Sequence, residues 1–282
     1  MAYVLALLAA LAFALGSVLQ QKGTLDTTAP EGDPHFLAQI VRQPVWLAGG
    51  ACQVAGWVLQ AVALDRGSLL VVQSLIAMSL VLALPLGRRI TDQQITRRVL
   101  LGAVALVAGT VLFLVVGSPQ GGKSTAASSA WWAAGGVLAV VIGLLLVVSR
   151  GRRGAVRALV LGSAAGVCFA FQAAVTKQFM TVIGQGFVTI VSNWTTWALV
   201  VSALLGFVLM QSALKTGILA PAMGSSNAVN LFASVVLGIV VFGETMSNGQ
   251  TRMAPAIIGL AIALAGIVLL AGAKPPSHEG AS

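Results

Sequence analysis

A chain of 282 residues with 58% hydrophobic and 8% charged residues lies far from the roughly one-quarter charged share of soluble domains. With a mean hydropathy of +0.97 and repeated apolar runs near 20 residues, it reads as an all-α integral membrane protein. The runs are continuous rather than alternating, which excludes a β-barrel, and the net charge of +9 comes from Lys and Arg between the runs, so no nucleic acid is expected as a partner.

Nine transmembrane helices are predicted, over Ala2–Gln20, Pro44–Leu64, Gly67–Leu86, Val99–Gly117, Trp131–Val148, Ala155–Thr176, Phe187–Met210, Gly217–Val241 and Ala254–Gly272. Ala12-Phe13-Ala14 imitates a signal-peptide cleavage site, but no Lys or Arg precedes Lys22, so the first run is read as a span. With the N-terminus outside, the inner side collects Lys22, Arg42, Arg88, Arg89, Arg97, Arg98, Arg150, Arg152, Arg153, Arg157, Lys215 and Lys274, which is 12 of the 16 basic residues. Arg66, Lys123, Lys177 and Arg252 are left outside. The positive-inside rule therefore predicts a multi-pass protein of the cell membrane with a cytoplasmic C-terminus. Gly121–Ser129 reads as a flexible outer linker, and 274–282 as a disordered tail.

The chain repeats itself. Ala63, Leu64, Gly67 and Leu69 recur 150 positions later as Ala213, Leu214, Gly217 and Leu219. Gly87 recurs at Gly243, and Gly102, Ala108, Gly109, Val111 and Leu112 recur 157 positions on as Gly259, Ala265, Gly266, Val268 and Leu269. Spans one to four then match spans six to nine. Matching spans are five apart, an odd number, so the two halves cross in opposite directions. The predicted organisation is a four-helix repeat over 1–118, a linker and fifth helix over 119–153, and a second, inverted four-helix repeat over 154–273. Inverted repeats are the plan of many secondary transporters, with the binding site between the halves. Gly162 and Gly166, and the Gly102/Gly109 and Gly259/Gly266 pairs, mark faces where helices approach closely.

Polar side chains inside spans are costly unless they face a cavity or another helix. Gln53 and Gln60 in span two, Gln73 and Ser74 in span three, Gln172 in span six, Asn193 in span seven, and Ser225, Ser226, Asn227 and Asn230 in span eight are the candidate substrate path. Interhelical hydrogen bonding is the competing role for each. Pro221 is positioned to kink span eight. Lys22 and Arg88 at inner ends, and Asp65 and Glu244 at outer ends, are candidate gate charges, Glu244 being the mirror counterpart of Arg88. Glu244 is either a cation- or proton-sensing gate or an interfacial charge that caps a loop. Cys52 and Cys168 read as small buried hydrophobes. His35 and His278 lie in a loop and the tail, so neither a metal site nor a cofactor nor an enzyme active site is expected.

The motifs A-L-x-x-G (213–217), Pro221, F-G-E (242–244) and G-I-V-L-L (266–270) resemble the end of an EamA-type repeat of the drug/metabolite transporter superfamily. The nine-span layout and S-V-L-Q-Q-K-G-T-L (17–25) are similar to its NIPA-type magnesium transporter branch. That branch carries glycine-glutamate and an asparagine in span two and T-P-L in span three. Here those positions hold Gly56-Trp57, Gln60 and Gln73-Ser74-Leu75, and the first-half glycine-glutamate is Gly87-Arg88. The resemblance implies a carrier of a small metabolite or drug-like solute working by alternating access. Magnesium transport is the alternative within the family, and a non-transporting accessory membrane protein the alternative outside it. The expected partners are a small-molecule substrate, the lipid bilayer and, as an open option, a second copy in a homodimer.

Overall fold

In a computed structural model, the described residues are 1–25, 42–90, 96–117, 119–120, 122–214, 216, 219–246 and 253–271. The expectations for Lys215, Arg252, Lys274, both histidines and the tail therefore fall outside the described residues, as does the Pro221 side chain. The helices are α1 (Ala2–Leu25), α2 (Pro44–Arg66), α3 (Leu69–Ile76), α4 (Ser79–Ile90), α5 (Arg97–Gly117), α6 (Ser128–Ser149), α7 (Gly154–Phe179), α8 (Phe187–Ser192), α9 (Trp194–Leu214), α10 (Leu219–Phe242) and α11 (Met253–Ala271). Two-residue strands β1 (Pro119–Gln120) and β2 (Thr245–Met246) pair antiparallel, with Pro119 opposite Met246. Taking α3 and α4 as one span, eight helices are long and apolar enough to cross a membrane, and α11 is a further apolar helix. The chain is an α-helical, multi-pass membrane protein.

Two predicted spans differ from expectation, both for local backbone reasons. Span three is two helices with a turn at Ala77–Met78, where Met78 N–H bonds the Leu75 carbonyl at 3.0 Å in place of the i−4 partner. Span seven begins late. Asn193 is extended, and its Oδ1 accepts the Thr195 N–H at 3.0 Å and the Thr195 hydroxyl at 2.7 Å. An asparagine in that conformation caps a helix rather than continuing one, so α8 ends and α9 begins there.

The bundle is held by close backbone approaches. α5 and α11 cross antiparallel on glycines: a Cβ on Gly109 would lie 2.5 Å from the Gly259 carbonyl oxygen, and one on Gly266 would lie 2.7 Å from that of Gly102. α7 runs parallel to α10, again on glycines, with Gly162 against Ala222 and Gly166 against Ser226. α1 packs on α2, α3 and α4, and α7 packs on α9 and α10. α6 lies at the edge, with only Trp131 and Ser149 buried. The largest core cluster joins Ala63, Leu64, Leu69 and Val72 to Ala170, Ala174, Leu237 and Phe242. A second joins Leu70 of α3 and Ala77 of the turn after it to Leu231 and Val235 of α10 and to Ile267 of α11.

Candidate functional site

α3 starts inside the bundle rather than at its surface. Gly67 is extended and ends α2, and Ser68 caps the new helix by accepting the Val71 N–H at 3.2 Å. The Leu69 and Leu70 N–H groups, in fully buried residues, still need acceptors. Glu244 supplies both. Its Oε1 accepts from Leu69 N at 2.6 Å and its Oε2 from Leu70 N at 2.9 Å. A carboxylate straddling a helix N-terminus meets two donors and the positive end of the helix dipole.

Lys177, in the last turn of α7, completes the arrangement. Its ammonium donates to Glu244 Oε1 at 2.5 Å and sits 4.6 Å from the centre of the Phe242 ring. Lys177 is 5% exposed and Glu244 1%. Two charges so buried are tolerable only when paired and hydrogen-bonded, and here the carboxylate has three donors while the ammonium faces a carboxylate and a ring. The chain reaches this geometry through two glycines. Gly243 takes φ +62°, reversing the chain after α10 so that Glu244 N–H bonds the Gly238 carbonyl at 3.0 Å. At Gly238 a Cβ would stand 2.6 Å from Glu244 Oε2 and 2.1 Å from Leu70 Cδ1. The carboxylate occupies the space that a side chain would fill.

Aromatic rings close over the pair. Trp131 meets Trp194, Phe171 and Phe242 edge-on, with centroids 5.3 to 5.8 Å apart. Its indole N–H donates to Gln178 Oε1 at 2.6 Å, which also accepts the Ala126 N–H at 3.2 Å. Lys123 N–H bonds the Phe242 carbonyl at 2.9 Å. The segment read from sequence as a flexible linker is therefore stitched to the ends of α7 and α10. Its small residues serve close approach: a Cβ on Gly122 would collide with the Phe242 carbonyl oxygen.

The sequence reading of Glu244 as an interfacial charge is corrected. It does cap, but it caps a helix from another part of the chain and does so fully buried. Lys177 is likewise no loop charge. The other three candidate gate charges stay apart from this site: Asp65 and Arg88 are exposed and Lys22 is half-buried. Pro221 is also corrected. It lies in the first turn of a continuous α10, where a missing N–H costs little, and the mid-span break is in α3–α4 instead.

The path candidates divide by what their polar atoms do. Gln53 Nε2 bonds Ser17 Oγ at 3.2 Å across the α1–α2 seam, an interhelical role. Asn193 caps α9. Ser225 and Asn227 bond the Ala222 and Met223 carbonyls of their own helix, and Asn230 Oδ1 accepts from Ser234 at 3.3 Å. Ser226 is buried, and its backbone lies against Gly166. Gln60 and Gln172 are half-buried. Ser74 bonds the Leu70 carbonyl at 2.7 Å. Gln73 differs: it is 2% exposed and its Nε2 has no hydrogen-bond partner. It lies one turn before the Ala77–Met78 break, on the helix that packs against α10. Thr110 Oγ1 is the other buried side-chain atom without a partner among the described residues. No group of three His, Cys, Asp or Glu comes together among the described residues.

An uncharacterized protein of Corynebacterium glutamicum is 28% identical over 247 residues, covering 86% of this chain and 85% of that one. No protein-family model matches the chain, and no solved structure is similar to it.

Proposed function

We propose that the chain is a secondary transporter of the drug/metabolite transporter superfamily, moving a small metabolite or drug-like solute by alternating access. The observation that carries this is the reciprocal glycine seam. Gly102 and Gly109 are the repeat counterparts of Gly259 and Gly266. Exchanging each residue for its counterpart turns the Gly109–Gly259 approach into Gly266–Gly102, the other approach in the seam. A pair of contacts that maps onto itself is what a two-fold axis between two inverted halves produces. The α1–α2 and α7–α9 pairs correspond in the same way, as spans one and two against six and seven. On this reading α11 is the ninth span, α6 links the repeats, and the Glu244 end is outer.

Transporters of this plan bind solute where a discontinuous helix crosses the middle of the membrane. The α3–α4 span is broken near its centre, and the free amide of Gln73 stands one turn from the break, against the span that carries Ser226, Asn227 and Asn230. An unpaired N–H donor in a dry site favours a solute bearing a neutral oxygen or a carboxylate. Magnesium is disfavoured, because the Glu244 carboxylate already has three donors and Asp65 is exposed at a helix end. Lys177, Glu244 and the start of α3 form the outer closure, joining the two halves through one carboxylate.

Cysteine accessibility tests this, in a Cys52→Ser, Cys168→Ala background. A cysteine at Ser124 should react with an impermeant reagent in intact cells, identifying the Glu244 end as outer. Gln73→Cys should then react from the inner side only, and also from the outer side once Glu244→Gln releases the closure. Reaction from neither side in both backgrounds would leave a static membrane scaffold. Reaction from both sides with the closure intact would mean a channel.

A further inference from the structure

At the opposite end of the bundle from Glu244, α7 begins and α9 ends around a cavity of about 310 Å³ lined by Arg153, Gly154, Arg157, Ser212 and Thr216. We infer that this cavity is a binding site for the phosphate group of an anionic phospholipid, independent of any solute path. Arg153 is the extended N-cap of α7 and Arg157 lies in its first turn; both line the same cavity, and neither is paired with a carboxylate among the described residues. A planar guanidinium with several donors matches the oxygens of a phosphate.

The backbone adds donors of its own. α7 has no side-chain cap at Arg153, so its first N–H groups remain open toward a ligand at the helix start. The hydroxyls of Ser212 and Thr216 are spent on the Val208 and Ala213 carbonyls, at 2.7 and 2.8 Å, leaving the arginines and the helix start as the donors. The cavity therefore offers several donors and no carboxylate, which selects an anion.

What makes the anion a lipid headgroup is the surface beside the cavity. Val156, between the two arginines in sequence, is 51% exposed, and Val208, one turn before Ser212 on α9, is 57% exposed. Leu159 and Leu204 continue these apolar faces, 50% and 60% exposed. Both helices are membrane spans, so these residues face acyl chains while the cavity lies at headgroup level. A phosphate in the cavity would carry its chains along the apolar faces. A soluble phosphate would leave them unused.

Binding of dioleoyl phosphatidylglycerol to the purified full chain, titrated by native mass spectrometry against dioleoyl phosphatidylcholine, tests the site. Arg153→Gln with Arg157→Gln should weaken phosphatidylglycerol binding about twenty-five-fold, at about fivefold for each basic contact. Arg150→Gln with Arg152→Gln removes the same charge outside the cavity lining and should change it by less than about threefold, because general attraction is all it loses. Equal losses in the two double variants, or equal binding of the two lipids, would overturn the site. Thermal stabilisation by inorganic phosphate alone, abolished by the first double variant, would assign the cavity to free phosphate and overturn the lipid reading.

Discussion

Glu244 and Arg88 each follow a glycine at the end of an apolar run, yet one is buried and the other exposed. The difference lies in what each can reach. Arg88 occupies the last turn of α4, where a cation already complements the negative end of its helix dipole without leaving solvent. Glu244 lies two residues past α10, beyond a left-handed glycine, and the nearest unfilled need is the start of α3. A helix N-terminus calls for an anion, and Lys177 removes the penalty of burying one. Two similar glycine–charge steps in the sequence thus serve different ends: one joins parts of the chain far apart in sequence, while the other stays exposed at the surface.

The largest effect on this contrast comes from removing one of the buried charges. Lys177→Met leaves Glu244 without its counter-charge, and Glu244→Gln leaves Lys177 buried and unpaired. Either should destabilise the protein by about 3–5 kcal/mol. The double variant should recover much of that loss, because no isolated charge remains. Thermal melts of the three proteins in one detergent measure this, and a double variant no better than the worse single would show that the pair is not what holds the site. Such a result would erase the distinction from Arg88.

A smaller effect is expected at Gly238. Gly238→Ala places a methyl group against the Leu70 side chain and the Glu244 carboxylate without changing any charge. Leu70 is fully buried and has little room to turn aside, so about 1–3 kcal/mol should be lost. Combining it with Glu244→Ala should give less than the sum, since the smaller side chain vacates the space that the new methyl group needs. Full additivity would separate the glycine from the carboxylate.

Arg88→Gln sets the baseline. An exposed charge in a helix's last turn should change stability by no more than about 0.5 kcal/mol, read from the same melts. A loss comparable to that of Glu244→Gln would mean that Arg88 has a buried partner after all, and the two ends would no longer differ.

The amino-acid sequence by itself determined the class of this protein and most of its elements. Runs of twenty apolar residues leave a chain few choices in lipid, because every backbone N–H and C=O must be paired within its own helix. The glycines of α5 and α11 were legible for a related reason: equal seven-residue spacing in two apolar runs marked faces on which backbones could touch. Tertiary structure decided the rest. Lys177 and Glu244 are separated by 67 residues and looked like ordinary interfacial charges, since span ends commonly carry them. Their meeting depends on the start of α3 being buried: the sequence placed a span start at Gly67, but nothing in it announced that this end lies inside the bundle, or that the span breaks again at Ala77–Met78. Gln73 was legible as a polar residue in a span, but whether its amide would be satisfied depended on its neighbours. Asn227 met its need from its own helix, and Gln73 did not. Hydrophobic length sets how often a chain crosses the membrane; which buried groups find partners is settled only by the packing of helices far apart in sequence.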